Sequence, residues 1–337
     1  MAEHCGPRGG SAVHYVPSNA RDLFVQIRTL KDRMRKILTI IRDLLKKNPE
    51  RMPKQAIPLK MTEVGPADGI TASAVWFGHS TVLLELQGKR LLLDPMFANS
   101  PSPFAIIGGK RFSRRLPVEP EKLLPVDVVV ISHDHYDHLD YQSIQRIKEK
   151  TGYFCVPFGV GSRLEKWGVD KKKIIELKWW QETIVDGLRI ACTPSVHFSG
   201  RGLFDRNKTL WCSWVIMAET AKVFFSGDGG YGTHFADIGK KYGPFDLTLM
   251  ECGQYDPRWS AIHMLPEESV QAHLDVQGNL MLPIHWAAFS LAFHKWTDPI
   301  ERAVKSAKEK NIKLTTPQIG ERVIIGIAGY PQSVWWK

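Results

Sequence analysis

The stretch Val128-Val129-Val130-Ile131-Ser132-His133-Asp134-His135-Tyr136-Asp137-His138-Leu139-Asp140 decides how the rest of the chain reads. A run of β-branched residues drives into a cluster of imidazoles and carboxylates, the pattern of a buried strand whose C-terminal end emerges as a metal-binding loop. Neutral imidazole and carboxylate together suit zinc, iron or manganese. The HxHxDH spacing cannot bring His133, His135, Asp137 and His138 onto one ion without severe backbone strain, whereas two adjacent ions accommodate it. The plain alternatives are a polar turn or a loop around a single structural zinc.

Residues far downstream argue against those alternatives. His197 in Thr193-Pro194-Ser195-Val196-His197, Asp228 in Phe225-Ser226-Gly227-Asp228 and His285 in Leu282-Pro283-Ile284-His285 each follow a strand-like run. A lone histidine in that position is usually structural, but a His, Asp, His series after HxHxDH is a far rarer coincidence. Asp94, before Pro95, is a candidate orienting carboxylate for a ligating imidazole, with His79 nearby in the same segment.

The 337 residues suit one large α/β domain with an extension, and the apolar share of 43% is ample for a core. The five cysteines, Cys5, Cys155, Cys192, Cys212 and Cys252, are scattered without a CxxC pair, against both a disulfide framework and a thiolate zinc site. A reducing, cytoplasmic setting is expected, since neither a signal peptide nor an apolar run of membrane-spanning length is found. The net charge of +10 is concentrated near the N-terminus.

Residues 1–19 read as a loose tail. From Ala20 to Lys47, Leu23, Ile27, Leu30, Met34, Ile37, Ile41 and Leu44 recur at gaps of four and three, with basic residues on the other faces. This basic amphipathic helix could pack on the catalytic domain, pair with a second copy as a homodimer, or lie on anionic lipid as a peripheral membrane anchor. Residues 48–70, with four prolines, form a linker, so the division is 1–70 for the extension and 71–337 for the catalytic domain. Within the latter, Ala72–Phe77, Thr81–Leu86 and Lys89–Asp94 form a β-meander. Pro101–Pro125 forms a long basic loop near the site, and strands and helices alternate thereafter.

Taken together, the metal candidates resemble the metallo-β-lactamase superfamily, which implies an α/β fold, the αββα sandwich of the metallo-β-lactamase type with an N-terminal helical extension. Trp76-Phe77-Gly78-His79-Ser80-Thr81, the loop from Ile131 to Tyr141, Glu176-Leu177-Lys178-Trp179-Trp180, Leu210 to Trp214, Gly243 to Leu247 and Tyr255-Asp256-Pro257-Arg258-Trp259 are similar to the N-acylphosphatidylethanolamine-hydrolysing phospholipase D family over roughly residues 70 to 325. Two departures stand out: Gly229 where the animal enzymes carry Thr, and Glu251-Cys252-Gly253-Gln254 in place of a more apolar segment. The resemblance implies that His133, His135 and His197 hold one divalent ion, that Asp137, His138 and His285 hold another, and that Asp228 bridges them. Zinc is the first choice, with iron and manganese as alternatives.

The same resemblance implies hydrolysis of a phosphodiester by a metal-bridging hydroxide, with Asp137 and Asp228 at the reacting centre and His263 donating a hydrogen bond to the phosphate or the leaving alkoxide. A phospholipid such as N-acylphosphatidylethanolamine is the expected substrate. Trp259, Trp286, Phe289, Leu291 and Phe293 are candidates for lining an acyl channel, and Arg111, Arg114, Arg115 and Arg258 for phosphate contact. The alternative is a hydrolase of a soluble phosphodiester, a lactone or a sugar lactone phosphate on the same scaffold. A scaffold that uses metal only structurally fits poorly, because seven ligands for two ions leave coordination open. Nucleic acid is not expected as a partner, because the basic surplus lacks interleaved stacking aromatics.

Overall fold

Strand β4 (Val126–Val130) carries the apolar run ahead of the histidines, and burial of both its faces explains why Val128, Val129 and Val130 are all apolar. Val128 and Val130 point into one core, while Val129 and Ile131 point into another. The structure is a computed structural model that describes residues 48–65, 67–102, 109–202 and 204–337, with Arg35, Leu38 to Ile40, Arg42, Asp43 and Lys46 from the preceding stretch.

Two sheets face each other across the first core. In the first, β14 (Arg322–Ile324), β1 (Ser73–Trp76), β2 (Val82–Leu86), β3 (Lys89–Leu93), β4, β5 (Thr151–Pro157) and β6 (Ile174–Leu177) lie in that order. The second runs β13 (Lys313–Leu314), β12 (Gly278–Ile284), β11 (Phe245–Glu251), β10 (Lys222–Phe225), β9 (Ser213–Met217), β8 (Leu188–Thr193), β7 (Glu182–Val185). Trp76, Leu84 and Val130 from one sheet and Trp214, Phe225 and Leu249 from the other share the buried layer between them. Helices α1 (Tyr141–Ile147) and α2 (Gly161–Lys166) cover the outer face of the first sheet, where Ile144, Ile147 and Leu164 meet Leu83, Leu92 and Val129. Helices α3 (His234–Tyr242), α4 (Pro266–Asp275) and α5 (Asp298–Glu309) cover the second through Ile238, Val270 and Ala303. This is the expected αββα sandwich.

The meander over β1 to β3 is antiparallel, with Trp76 opposite Val82 and Val82 opposite Leu93, and β3 then runs parallel to β4. Parallel neighbours place the C-terminal ends of β3, β4, β11 and β12 at the same rim. Sequence periodicity passes over β6, β7 and α3. Strands β6 and β7 are the edges of their sheets and half-exposed, so the apolar signal is diluted, and α3 follows the glycine-rich run Gly229-Gly230-Tyr231-Gly232.

Contacts between Cα atoms divide the chain into Met1–Lys47 and Asn48–Lys337. The described residues Arg35, Leu38 to Ile40, Arg42 and Asp43 are α-helical, and the remainder of the basic helix expected over 20–47 lies outside the described residues. Residues 48–70 run along the second unit: Trp296 N donates to Glu50 O (2.9 Å), Lys60 N to Ile319 O (2.9 Å) and Thr62 N to Pro117 O (3.0 Å). The loop expected over Pro101–Pro125 is tied to the segment after His285 by Phe112 N donating to Ala288 O (2.9 Å), and residues 103–108 of it lie outside the described residues. Cys155, Cys192, Cys212 and Cys252 are buried and free. Among the described residues no helix is long and apolar enough to cross a membrane.

His273 on α4 is buried beneath the second sheet, its Nδ1 2.7 Å from Thr248 Oγ1, and burial pushes its pKa from 6.5 down to about 4. The unfolded chain therefore binds this proton more readily than the folded one. Its contribution to stability is complete above about pH 6.5 and is lost as the pH falls toward 4, with a slope of up to about 1.4 kcal/mol per pH unit for one proton. Urea midpoints measured across this window should fall with pH, and His273→Asn should flatten part of that slope.

Candidate metal centre

Each candidate ligand leaves the end of a strand at one rim of the sandwich. His133, His135, Asp137 and His138 follow β4, His197 follows β8, Asp228 follows β10 and His285 directly follows β12. Tight turns bring them together. His285 and His79 both take left-handed backbone (φ 65° and 53°), as does Asp94 (φ 38°), a strain of order 1 kcal/mol per residue that packing must impose. His79 N donates to Trp286 O (3.0 Å) and His285 N to His79 O (2.8 Å), stitching the two sheets at this rim. Trp214 Nε1 adds a bond to Ile131 O (2.9 Å), just ahead of the histidine loop.

The structure brings all seven sequence-predicted ligands together. His133, His135 and His197 form one group, with donor atoms within 4.8 Å of one another. Asp137, His138 and His285 form a second group, to which His79 also belongs. Asp228 lies between them: its Oδ2 is 3.1 Å from His138 Nε2, 3.1 Å from His285 Nε2, 3.9 Å from His133 Nε2 and 4.0 Å from His197 Nε2. Asp134 and Asp140 are not part of these groups. Asp134 accepts from Arg163 Nε (2.7 Å), Gly200 N (2.7 Å) and Thr209 Oγ1 (3.0 Å), and Asp140 caps α1 by accepting from Ser143 N (2.8 Å).

Electrostatics show what this arrangement lacks. Burial, then repulsion from neighbouring imidazoles, drives His133 well below its ordinary pKa, and burial does the same to His197. For His138 and His285, burial is outweighed by Asp228 and Asp137, which hold His138 well above the ordinary value and raise His285 to about 10. Two buried carboxylates thus demand positive charge at this point, from protons or from a cation. Asp228 Oδ1 and His79 Nδ1 are buried without a hydrogen-bond partner. Uncompensated buried carboxylate is costly, and a set of N and O donors with one orphaned oxygen is what divalent cations fit.

A surrounding layer orients the ligands. Asp94 Oδ2 lies 2.7 Å from His138 Nδ1 and accepts from Ser132 Oγ (2.5 Å), while Oδ1 accepts from Ser132 N (2.7 Å). Ser132 Oγ is in turn 2.9 Å from His133 Nδ1. The expected orienting role of Asp94 is therefore realised, leaving Nε2 of His138 toward Asp228. His79 Nε2 sits 2.8 Å from Asp137 Oδ2, closer to the centre than its place in the sequence suggested.

A cavity of about 260 Å³ opens over the centre, with His263, Ile262, Phe198, Trp259 and Leu291 on its walls. The expected aromatic channel is corrected in part. Trp286 is 2% exposed and stacks between Trp76 and Trp335 in the core, and Phe289 is 1% exposed with its ring against His79. Only Trp259 and Leu291 of that set line the cavity, with the Phe293 ring 5.8 Å from that of Trp259. Arg111 is buried as well; it lies over Phe289, donates to the carbonyls of Ala98 and Met96, and is not part of the cavity lining. Arg258 grips Asp256 through two parallel bonds of 2.7 Å, and Arg114 and Arg115 are exposed outside the cavity lining.

Sequence reasoning passed over two residues because it read their segment only as a departure from a family pattern. Buried Glu251, the last residue of β11, lies 2.9 Å from His263 Nδ1 through Oε2, while Oε1 accepts from Met264 N (2.9 Å) and Gly229 N (3.2 Å). Burial raises its pKa against the pull of His263. Gln254, with φ 63°, accepts from Leu291 N (2.8 Å) and Ala292 N (3.0 Å), and its backbone carbonyl accepts from Trp259 Nε1 (2.9 Å). It thereby fixes both apolar walls of the mouth. A Glu and a Gln beside a strand end in an apolar run were the available signal.

The family described as a beta-lactamase superfamily domain matches residues 89–286, and the chain belongs to the metallo-β-lactamase superfamily of metal-dependent hydrolases. Within it, the chain resembles the N-acyl-phosphatidylethanolamine-hydrolyzing phospholipase D 1 of Caenorhabditis elegans, with 33% identity over 74% of this chain and 74% of the relative. An uncharacterized protein of Mycobacterium tuberculosis is 42% identical over 84% of this chain and 77% of its own length. Among solved structures, an isothiocyanate hydrolase from Delia radicum gut bacteria superposes with a TM-score of 0.59 at 20% identity, covering 74% of this chain and 98% of that one, a likeness of fold.

Asp94→Ala should leave the sandwich folded but lower divalent-metal affinity about 10- to 100-fold, since it frees the His138 ring and the Ser132 backbone together. Competition with a chromogenic chelator measures the shift, and circular dichroism checks the fold.

Proposed function

We propose that the chain is a dinuclear metal-dependent phosphodiesterase of the phospholipase D type, acting on N-acylphosphatidylethanolamine or a related glycerophospholipid. The observation that carries this reading is the Asp228 carboxylate shared between two groups of imidazoles at the floor of an open cavity. His133, His135 and His197 would hold one ion, Asp137, His138 and His285 the other, and Asp228 both. Zinc suits an N and O donor set with no thiolate. When bound, two such ions supply Lewis acidity at a phosphoryl oxygen and an ionised water at neutral pH.

The chain's own residues supply the remainder. Asp94 keeps His138 in one tautomer, and His79 Nε2 donates to Asp137 at the cavity floor. His263 and Asp228 flank the space a phosphate would fill, and Trp259 and Leu291 offer apolar surface where a lipid leaves the cavity. The activity named for the C. elegans relative supports a phospholipid as substrate. The basic stretch 20–47 would hold the enzyme at an anionic membrane surface as a peripheral protein on the cytoplasmic side. One observation favours a second reading: a cavity of about 260 Å³ admits a head group but no acyl chain, and so also fits a soluble phosphodiester or a lactone.

Incubating the purified chain with a panel of N-acylated and ordinary phospholipids, with products identified by mass spectrometry, should yield phosphatidic acid and an N-acylethanolamine. Chelation and Asp228→Asn should each abolish turnover; activity in metal-free protein would overturn the proposal. Removing residues 1–47 should lower sedimentation with anionic vesicles while sparing turnover of a short-chain soluble diester. Turnover of lactones or soluble diesters without any phospholipid hydrolysis would favour the second reading.

A further inference from the structure

The geometry points to Glu251 as a positioning residue: one buried carboxylate that locks His263 with its Nδ1 proton directed inward and its Nε2 lone pair turned to the cavity, while bracing His285 from behind. The inference deepens the reading above, and its part concerning His285 rests on that residue being a metal ligand. Four donor positions surround this carboxylate. Oε1 accepts from two backbone groups, Met264 N at 2.9 Å and Gly229 N at 3.2 Å, and Oε2 lies 2.9 Å from His263 Nδ1 and 3.6 Å from His285 Nδ1. The two backbone bonds anchor the head group so that Oε2 cannot turn away. With Oε1 turned to two backbone N–H groups, Oε2 is placed as the acceptor for the imidazole nitrogen facing it, which assigns that nitrogen the proton.

His263 is held on its other sides too. Its ring stacks on that of His285 with centroids 5.2 Å apart and planes 15° apart, and meets His197 edge-on at 5.2 Å. Its side chain is 13% exposed, and the residue lines the cavity. With Nδ1 committed to Glu251, the neutral ring offers substrate an acceptor at Nε2, where an unrestrained histidine would offer either tautomer. This group in the cavity lining is thus preset to take a hydrogen bond from an N–H or O–H of the substrate or of a water. Glu251 approaches both this histidine and His285, so the cavity wall and the candidate metal centre share an anchor.

Glu251→Gln provides a sharp test because it is nearly isosteric. The two backbone N–H groups retain the amide oxygen at the Oε1 position, which turns the NH₂ group toward His263 Nδ1. That nitrogen must then accept, and the proton moves to Nε2. Long-range ¹H–¹⁵N spectra of the zinc-loaded full chain labelled at histidine, with the His263 signal assigned by its loss in His263→Ala, read the tautomer directly and do not require activity. The wild-type spectrum should show His263 protonated at Nδ1, and Glu251→Gln should invert it. A wild-type Nε2–H tautomer, or no change in the variant, overturns the inference.

In kinetics, Glu251→Gln should lower kcat about 10- to 100-fold with KM little changed. His263→Ala should cost a similar factor, and the double variant no more than the worse single one, because the pair acts as a unit. Fully additive losses would show the two to act separately and overturn the inference. If the wild type hydrolyses no phosphodiester, the functional reading fails while the spectra still decide the role of Glu251.

Discussion

The Asp228 carboxylate, buried at the meeting point of four imidazoles, is the constraint from which the rest of the structure follows. Its Oδ2 stands 3.1 Å from both His138 and His285, and its other oxygen has no partner. Such a group is tolerated in a protein interior only when positive charge is delivered to it and held there. Each surrounding feature serves that need: imidazoles in two groups, Asp137 beside them, and cores of valine and leucine that keep the strand ends from relaxing apart.

Holding so many polar groups in one place has a cost in backbone strain and in buried hydrogen-bonding capacity. His79, Asp94, Gln254 and His285 all adopt left-handed backbone around the centre. Glycines fill the closest approaches: a Cβ on Gly229 would lie 2.4 Å from Ser195 Oγ, and one on Gly253 would lie 2.2 Å from His285 O. At Gly229 a larger residue would have to turn the Ser195 hydroxyl aside, whereas at Gly253 it would displace the backbone at His285. Asp94 spans the same rim from the first sheet, joining Ser132 and His138 through one buried carboxylate.

Chemistry and selectivity are divided between different elements. The candidate metal donors come from the ends of β4, β8, β10 and β12, which the two sheets fix in place. The mouth is instead assembled from the segments after β11 and β12, with Gln254 tying them together and Glu251 reaching under His263. Loops on a rigid scaffold can change without disturbing the strands beneath, which is how one sandwich serves hydrolases of different substrates. Gln254 lines the mouth and Glu251 stands beneath it.

By itself the sequence marked the strands and the residues that gather at the rim, and its resemblance to a known superfamily implied the sandwich. The valine run before His133, the alternation along the meander and the repeated placing of a histidine or aspartate after an apolar run are local signals, and strand formation depends on local pattern once both faces are buried. Orientation was decided only by tertiary structure. Trp286 and Phe289 follow His285 in sequence as channel residues would, yet the stack on Trp76 and the contact with His79 draw them inward. Arg111 looks like a phosphate ligand in a basic loop, yet it is consumed by the carbonyls of Met96 and Ala98. Glu251 looks like an exception in an apolar strand, and it becomes the partner of His263 because the segment after β11 folds back over the strand end, while parallel pairing with β12 sets it beside His285. Which way a side chain points at a strand end depends on neighbours outside its own strand, some in the next loop and others in the opposite sheet, and local pattern does not record them.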